Sequence, residues 1–148
     1  MSQPQTKIPP LALGLTAAGA APFVGLASIA LIAGPPWQAQ SLDALMSYAA
    51  VILSFMGAVH WGFALAPSAT TEPSASLLAG VVPALVGWGA TLLPESLGFI
   101  VLALAFVAVL GFDHTAIRNG TAPAWYGRLR LPVTLVVVIS LLGAGLSP

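Results

Sequence analysis

The sequence predicts an all-α membrane protein, a compact bundle of five transmembrane helices in a single domain over residues 1–148. The first observation is composition: 58% of the 148 residues are hydrophobic and only 5% are charged, too few to cover the surface of a soluble domain. The second is that the apolar residues form five stretches separated by short breaks. The third is that every lysine and arginine falls on one side of the resulting topology.

The five apolar stretches give the helices in order. They lie at about 11–33, 42–66, 77–93, 96–112 and 125–146. Proline-rich "GPPW" ends the first, the polar cluster "PSATTEPSAS" ends the second, and Pro94-Glu95 separates the third from the fourth. A bilayer core needs about 20 helical residues, so the last three stretches are short. The alternative is four spans plus a re-entrant hairpin at Leu77–Phe112.

The charges predict the orientation of the chain. Five spans place the N-terminus, the 67–76 loop and the 113–130 loop on one side. That side holds every basic residue: Lys7, Arg118, Arg128 and Arg130. The other side holds Asp43 and Glu95. The positive-inside rule therefore predicts a cytoplasmic N-terminus and an outside C-terminus, in a bacterial inner membrane or, in a eukaryote, the mitochondrial inner membrane.

Amphipathic side chains at the start of the fifth helix are expected to anchor it at the interface between lipid and water. These predicted anchors are Trp125, Tyr126, Arg128 and Arg130. Indole and phenol rings prefer the headgroup level, and arginine extends its charge towards lipid phosphates. The lipid bilayer is thus the first expected partner.

Several function classes are excluded or disfavoured by what the sequence lacks. Without cysteine the chain forms no disulfide, thiolate zinc site or iron–sulfur cluster. It has no basic run for nucleic acid, no plausible Ser-His-Asp triad and no glycine-rich phosphate loop. We therefore expect no enzyme activity and predict no catalytic residue, metal site or cofactor.

His60 is the ionisable residue that the apolar pattern does not explain. It lies in the second stretch, roughly 9 Å inside the cytoplasmic end at ~1.5 Å per residue. A neutral imidazole hydrogen-bonded between helices is the favoured interpretation; a proton relay or ligand site, and a haem or metal ligand, are the alternatives. His114 would lie about 12 Å away in depth, which disfavours a haem held by both histidines.

Other residues join His60 as candidates for a functional or packing cluster. The full set is Ser54, Gly57, His60, Trp61, Trp88, Asp113 and His114. Gly57, one turn before His60, opens room for a neighbouring helix. Trp88 is expected to point inward, since its indole N–H needs a partner. Asp113 could pair with Arg118 or be approached by His60.

Small residues in the first helix suggest close helix packing. Gly14, Ala18 and Pro22 recur every four residues, which lets another backbone approach. Packing within the bundle is the favoured interpretation, and a membrane-protein partner is the alternative.

Four segments in order resemble a known family. They are "YAAVILSFMGAVHWGFAL" at Tyr48–Leu65, "VVPALVGW" at Val81–Trp88, Asp113, and "APAWYGRLRLPVT" at Ala122–Thr134. Together they resemble the transmembrane protein 69-like family of small integral membrane proteins, whose function is unknown. The resemblance implies these characteristic positions: Phe55, Gly57, His60, Trp61, Gly62, Pro83, Trp88, Asp113, Trp125, Arg128 and Arg130. Ala58 departs from the pattern, because a second glycine is expected there.

Three functions follow as hypotheses. The first is an accessory or assembly subunit of a larger respiratory or photosynthetic membrane complex, given the small size and the scarcity of polar residues. The second is a carrier or channel with a cytoplasm-facing cavity near His60. The third is a haem- or quinone-binding membrane protein that uses His60 and Trp88. The lack of an evident polar pathway favours the first.

Overall fold

The computed structural model describes residues 7–65 and 73–147. Within these residues the chain forms five α-helices and no strand, which confirms the all-α prediction. The helices are α1 (Pro10–Ile32), α2 (Trp37–Leu65), α3 (Pro73–Ala90), α4 (Glu95–Arg118) and α5 (Ala124–Gly145). Four of them, α1, α2, α4 and α5, are long and apolar enough to cross a membrane. The helix α3, with 18 residues, is not among these candidate spans.

The largest boundary error concerns α4. This helix continues past its predicted end at Phe112 to Arg118, so Asp113 lies inside the helix and not in a loop. With 24 residues, α4 is long enough to span the bilayer by itself, which argues against a single re-entrant hairpin at Leu77–Phe112. Gly120 follows the C-cap residue Asn119, and its φ of 73° suits glycine.

The helices form a ring in sequence order. Each helix packs against the next, α5 closes the ring against α1, and α2 also contacts α4 across the centre. Successive helices run in opposite directions. One end of the bundle therefore contains the first residues of α1, α3 and α5 and the last residues of α2 and α4. The basic residues Lys7, Arg118 and Arg128 lie at this end, and its assignment to the cytoplasm stays a prediction.

Aromatic and aliphatic side chains fill the centre of the ring. Phe23 meets Phe106 with ring centroids 5.9 Å apart and Tyr48 at 5.1 Å, both edge to face. Tyr48 Oη also donates a hydrogen bond to the Gly19 carbonyl at 3.0 Å, which joins α2 to α1. Large apolar side chains cover much of the outside, as a bilayer-embedded surface requires.

Glycines let α2 and α3 approach closely. A Cβ added at Gly57 would lie 2.5 Å from the Gly80 carbonyl oxygen, and one added at Gly87 would lie 3.2 Å from the Ala50 carbonyl oxygen. Trp61 covers Gly80 and donates from Nε1 to the Leu77 carbonyl at 3.0 Å. Gly57 therefore lies where the two backbones touch. Ala58 is exposed, so its lack of a second glycine does not affect this contact.

Candidate functional site

A polar cluster lies buried between three helices at the end of the bundle that carries the basic residues. We define the buried polar cluster as His60 of α2, Asp113 of α4, and Tyr126 and Arg130 of α5. Exposed fractions are only 4% for His60, 1% for Asp113 and 6% for Arg130. Ionisable residues at such positions in a membrane protein face the bundle interior and are functional candidates by default.

Asp113 is the centre of the cluster. Arg130 Nε donates to Asp113 Oδ2 at 2.6 Å, and Tyr126 Oη donates to Oδ1 over a longer 3.4 Å. His60 Nε2 lies 3.1 Å from Oδ1, but the two groups are not aligned as a hydrogen bond. The carboxylate is thus held by one strong charge-assisted bond and two weaker contacts.

The positions of the cluster residues follow from helix periodicity. Tyr126 and Arg130 are four residues apart and therefore lie on one face of α5. His60 continues the buried face of α2 after Leu53 and Gly57. Because α2 and α4 touch across the ring, His60 and Asp113 meet although they are far apart in sequence.

The cluster is electrically balanced and enclosed. The charges of Asp113 and Arg130 cancel, which reduces the cost of placing them away from water. Phe63 and Phe112 surround the His60 ring edge to face, with centroids 5.7 and 6.2 Å away. Within the part of the chain that the structure describes, no three His, Asp or Glu side chains converge as metal ligands. Through these side chains the cluster joins α2, α4 and α5.

The structure separates the other candidates from this cluster. Ser54 Oγ bonds to the Ala50 carbonyl of its own helix at 2.8 Å, and Trp61 packs against α3. His114 is exposed, so the two histidines do not face each other. Trp88 is 64% exposed near the far end of α3, and its predicted inward orientation is wrong. Gly87 lies on the face of α3 that meets α2 at Ala50, and Trp88, as the next residue of the helix, points away from that contact.

The predicted interfacial anchors divide into two groups. Arg128 is exposed and Trp125 is half-buried, positions that an anchor can occupy. Arg130, in contrast, is buried and paired with Asp113, so its assignment as an anchor is wrong. Tyr126 also turns inward, towards Asp113. The physical reason is that Asp113, on the adjoining helix α4, offers Arg130 an anion at 2.6 Å inside the bundle.

Sequence reasoning missed the pair of Asp113 and Arg130. Of the two contacts considered for Asp113, the approach of His60 is confirmed at 3.1 Å, whereas Arg118 is exposed at the end of α4. A signal did exist in the helical spacing of α5. The buried residues of that helix include Arg130, Thr134, Val137, Leu141 and Ala144. In the sequence itself, Tyr126, Arg130 and Thr134 recur every four residues and so share one face of α5. Polar faces of membrane helices turn towards the bundle interior, which would have placed Arg130 inside.

Comparisons with known proteins confirm the family resemblance. A family model described as "Protein of unknown function (DUF3429)" matches residues 8–146. Transmembrane protein 69 of Xenopus tropicalis is 33% identical over 139 residues, covering 92% of this chain and 53% of that protein. Transmembrane protein 69 of Mus musculus is 31% identical over 96 residues, covering 64% and 39%. The chain thus spans about half or less of these relatives' length, and no solved structure matches.

Proposed function

This chain belongs to the DUF3429 family of membrane proteins of unknown function, and we propose that it serves as an accessory or assembly subunit of a larger membrane complex. The proposal places it in an energy-converting membrane, with a respiratory or photosynthetic complex as its partner. That membrane is the bacterial inner membrane or its mitochondrial counterpart, with the N-terminus inside, as the distribution of lysine and arginine predicts.

The outward face of α1 is the observation that carries this proposal. Gly14, Ala18, Ala21 and Gly25 are all exposed on it, and a Cβ added at Gly14 or Gly25 would meet nothing within 4 Å. Packing inside the bundle was the favoured expectation for this stripe, and these exposed small residues do not serve it. Pro22 is half-buried, so the stripe continues through Ala21 and Gly25. Such a face lets a partner helix approach closely in lipid, where small residues drive association.

The buried polar cluster also fits a structural role. A carrier needs polar groups along a connected path. Apart from the buried polar cluster and Thr134, the only buried polar residues in the described part of the chain are Ser41 and Ser140. The carrier or channel hypothesis therefore receives little support. The third hypothesis used His60 and Trp88 together, and these two side chains do not share a site.

We expect Gly25→Leu to detach the protein from its complex without unfolding it, because a leucine side chain keeps a partner backbone away from α1. The measurement is migration of the tagged protein on a native gel after mild solubilisation of native membranes. Gly111→Leu is the matched control, because Gly111 is also exposed with nothing within 4 Å, on α4. If the wild-type protein migrates alone, or if both variants behave like wild type, the proposal fails.

A further inference from the structure

A cavity between α1, α2 and α5 adjoins the buried polar cluster. Its volume is about 500 Å³, and α4 contributes Phe106 to it. Exposed side chains of α1 and α2, Leu15 and Phe55, are among its lining residues, so it reaches the lipid-facing surface of the bundle. Arg130 and Thr134 bring hydrogen-bond donors to a lining that is otherwise mostly apolar.

Two buried donors at this cavity have no partner in the described part of the chain. They are Arg130 Nη2 and Thr134 Oγ1. Arg130 uses Nε for Asp113, which leaves Nη2 available. Thr134 also differs from Ser28 and Ser54, whose hydroxyls bond to carbonyls of their own helices. Buried polar groups are costly without a hydrogen-bond partner, so two orphans side by side indicate a missing acceptor.

The charge and depth of the site define that acceptor. Asp113 already neutralises Arg130, so an anionic ligand would bring an uncompensated charge into a low-dielectric place. Arg130 and Thr134 lie roughly 9 Å and roughly 15 Å from the start of α5 at ~1.5 Å per residue. A neutral carbonyl oxygen on an apolar molecule satisfies both donors at this depth.

We propose that this cavity binds a neutral, lipid-soluble carbonyl compound whose oxygen accepts hydrogen bonds from Arg130 Nη2 and Thr134 Oγ1. Aromatic side chains Phe23, Phe55 and Trp125 line the cavity and suit a planar head or an acyl chain. A quinone and the ester group of a phospholipid share this chemistry. The site is distinct from the outward face of α1, so it is independent of the proposed subunit role.

Native mass spectrometry of the purified full chain tests the site with two probes, decylubiquinone and dioleoylphosphatidylcholine. Titration of each probe gives an apparent dissociation constant. We expect Thr134→Val, which keeps the volume and removes the hydroxyl, to weaken binding about three- to tenfold, the effect of one neutral hydrogen bond. Val133→Phe, which fills the cavity from a lining position, should abolish the adduct.

Thr115→Val is the matched control, because the Thr115 hydroxyl bonds within α4 to the Phe112 carbonyl and lies outside the cavity. If only one probe forms a saturable adduct that depends on Thr134, that probe identifies the class of ligand, quinone or phospholipid. If both probes form such an adduct, the shared carbonyl chemistry is supported. The proposal is overturned if neither probe binds the wild-type protein, or if Thr134→Val and Val133→Phe bind as tightly as Thr115→Val.

Discussion

Replacing Asp113 by asparagine is expected to lower the free energy of unfolding by about 3 kcal/mol or more, because it leaves Arg130 charged and buried without its anion. Arg130 is 6% exposed and its Nε lies 2.6 Å from Asp113 Oδ2, so loss of the carboxylate leaves a guanidinium charge that is poorly solvated where it lies. Unfolding by sodium dodecyl sulfate in mixed micelles, followed by circular dichroism, measures the loss.

A second substitution separates the ion pair from the shape of the site. Arg130→Gln in the Asp113→Asn background removes the orphaned charge, and we expect it to restore part of the lost stability, since replacing both partners is far milder than removing one. Asp43→Asn is the control, because Asp43 is exposed. Equal stability of Asp113→Asn and Asp43→Asn would contradict the assignment of Asp113 as the centre of the cluster.

The second large effect is expected at Gly57. A methyl group there meets the backbone oxygen of Gly80. Because that oxygen belongs to the backbone, no change of side-chain rotamer relieves the contact. The helices α2 and α3 must therefore separate, and Gly57→Ala should cost about 1–3 kcal/mol in unfolding free energy, the range for overpacking. The same detergent titration measures it.

Gly62→Ala is the matched control for Gly57→Ala. Gly62 lies on the same helix, and a Cβ added there would meet nothing within 4 Å. We expect this variant to be as stable as wild type or slightly more stable, since alanine is the better helix former. If both variants keep full stability, the close crossing of α2 and α3 is not a tight contact in the membrane.

The helical fold was readable from the sequence because it depends on a strong and local signal. Apolar stretches of about 16 to 25 residues, separated by "GPPW", by a polar cluster and by Pro94, leave little choice of secondary structure. The close approach of another helix at Gly57 was also anticipated from the sequence. Gly57 lies one turn before His60, which was expected to face the bundle, and a small residue on such a face lets a neighbouring helix approach.

The partners of Asp113 were harder to predict, since they depend on which helices meet. Hydropathy treats aspartate as a reason to end a helix, yet a neighbouring arginine cancels that cost, and α4 continues to Arg118. Arg130 was assigned to the interface because arginines near helix ends usually extend to phosphates. Only the docking of α4 against α5 shows that a protein carboxylate takes that place.

The ion pair between α4 and α5 has a consequence for how the chain enters the membrane during synthesis. Asp113 leaves the ribosome before Arg130. A lone carboxylate at a helix centre costs about 2.5–3.5 kcal/mol of insertion free energy, which is the upper bound for Asp113, five residues from the end of α4. We therefore expect α4 to enter the lipid most readily together with α5, as one hairpin. A nascent chain truncated before Ala124 should integrate α4 less completely than the full chain, as glycosylation mapping would detect, and Asp113→Asn should remove the difference.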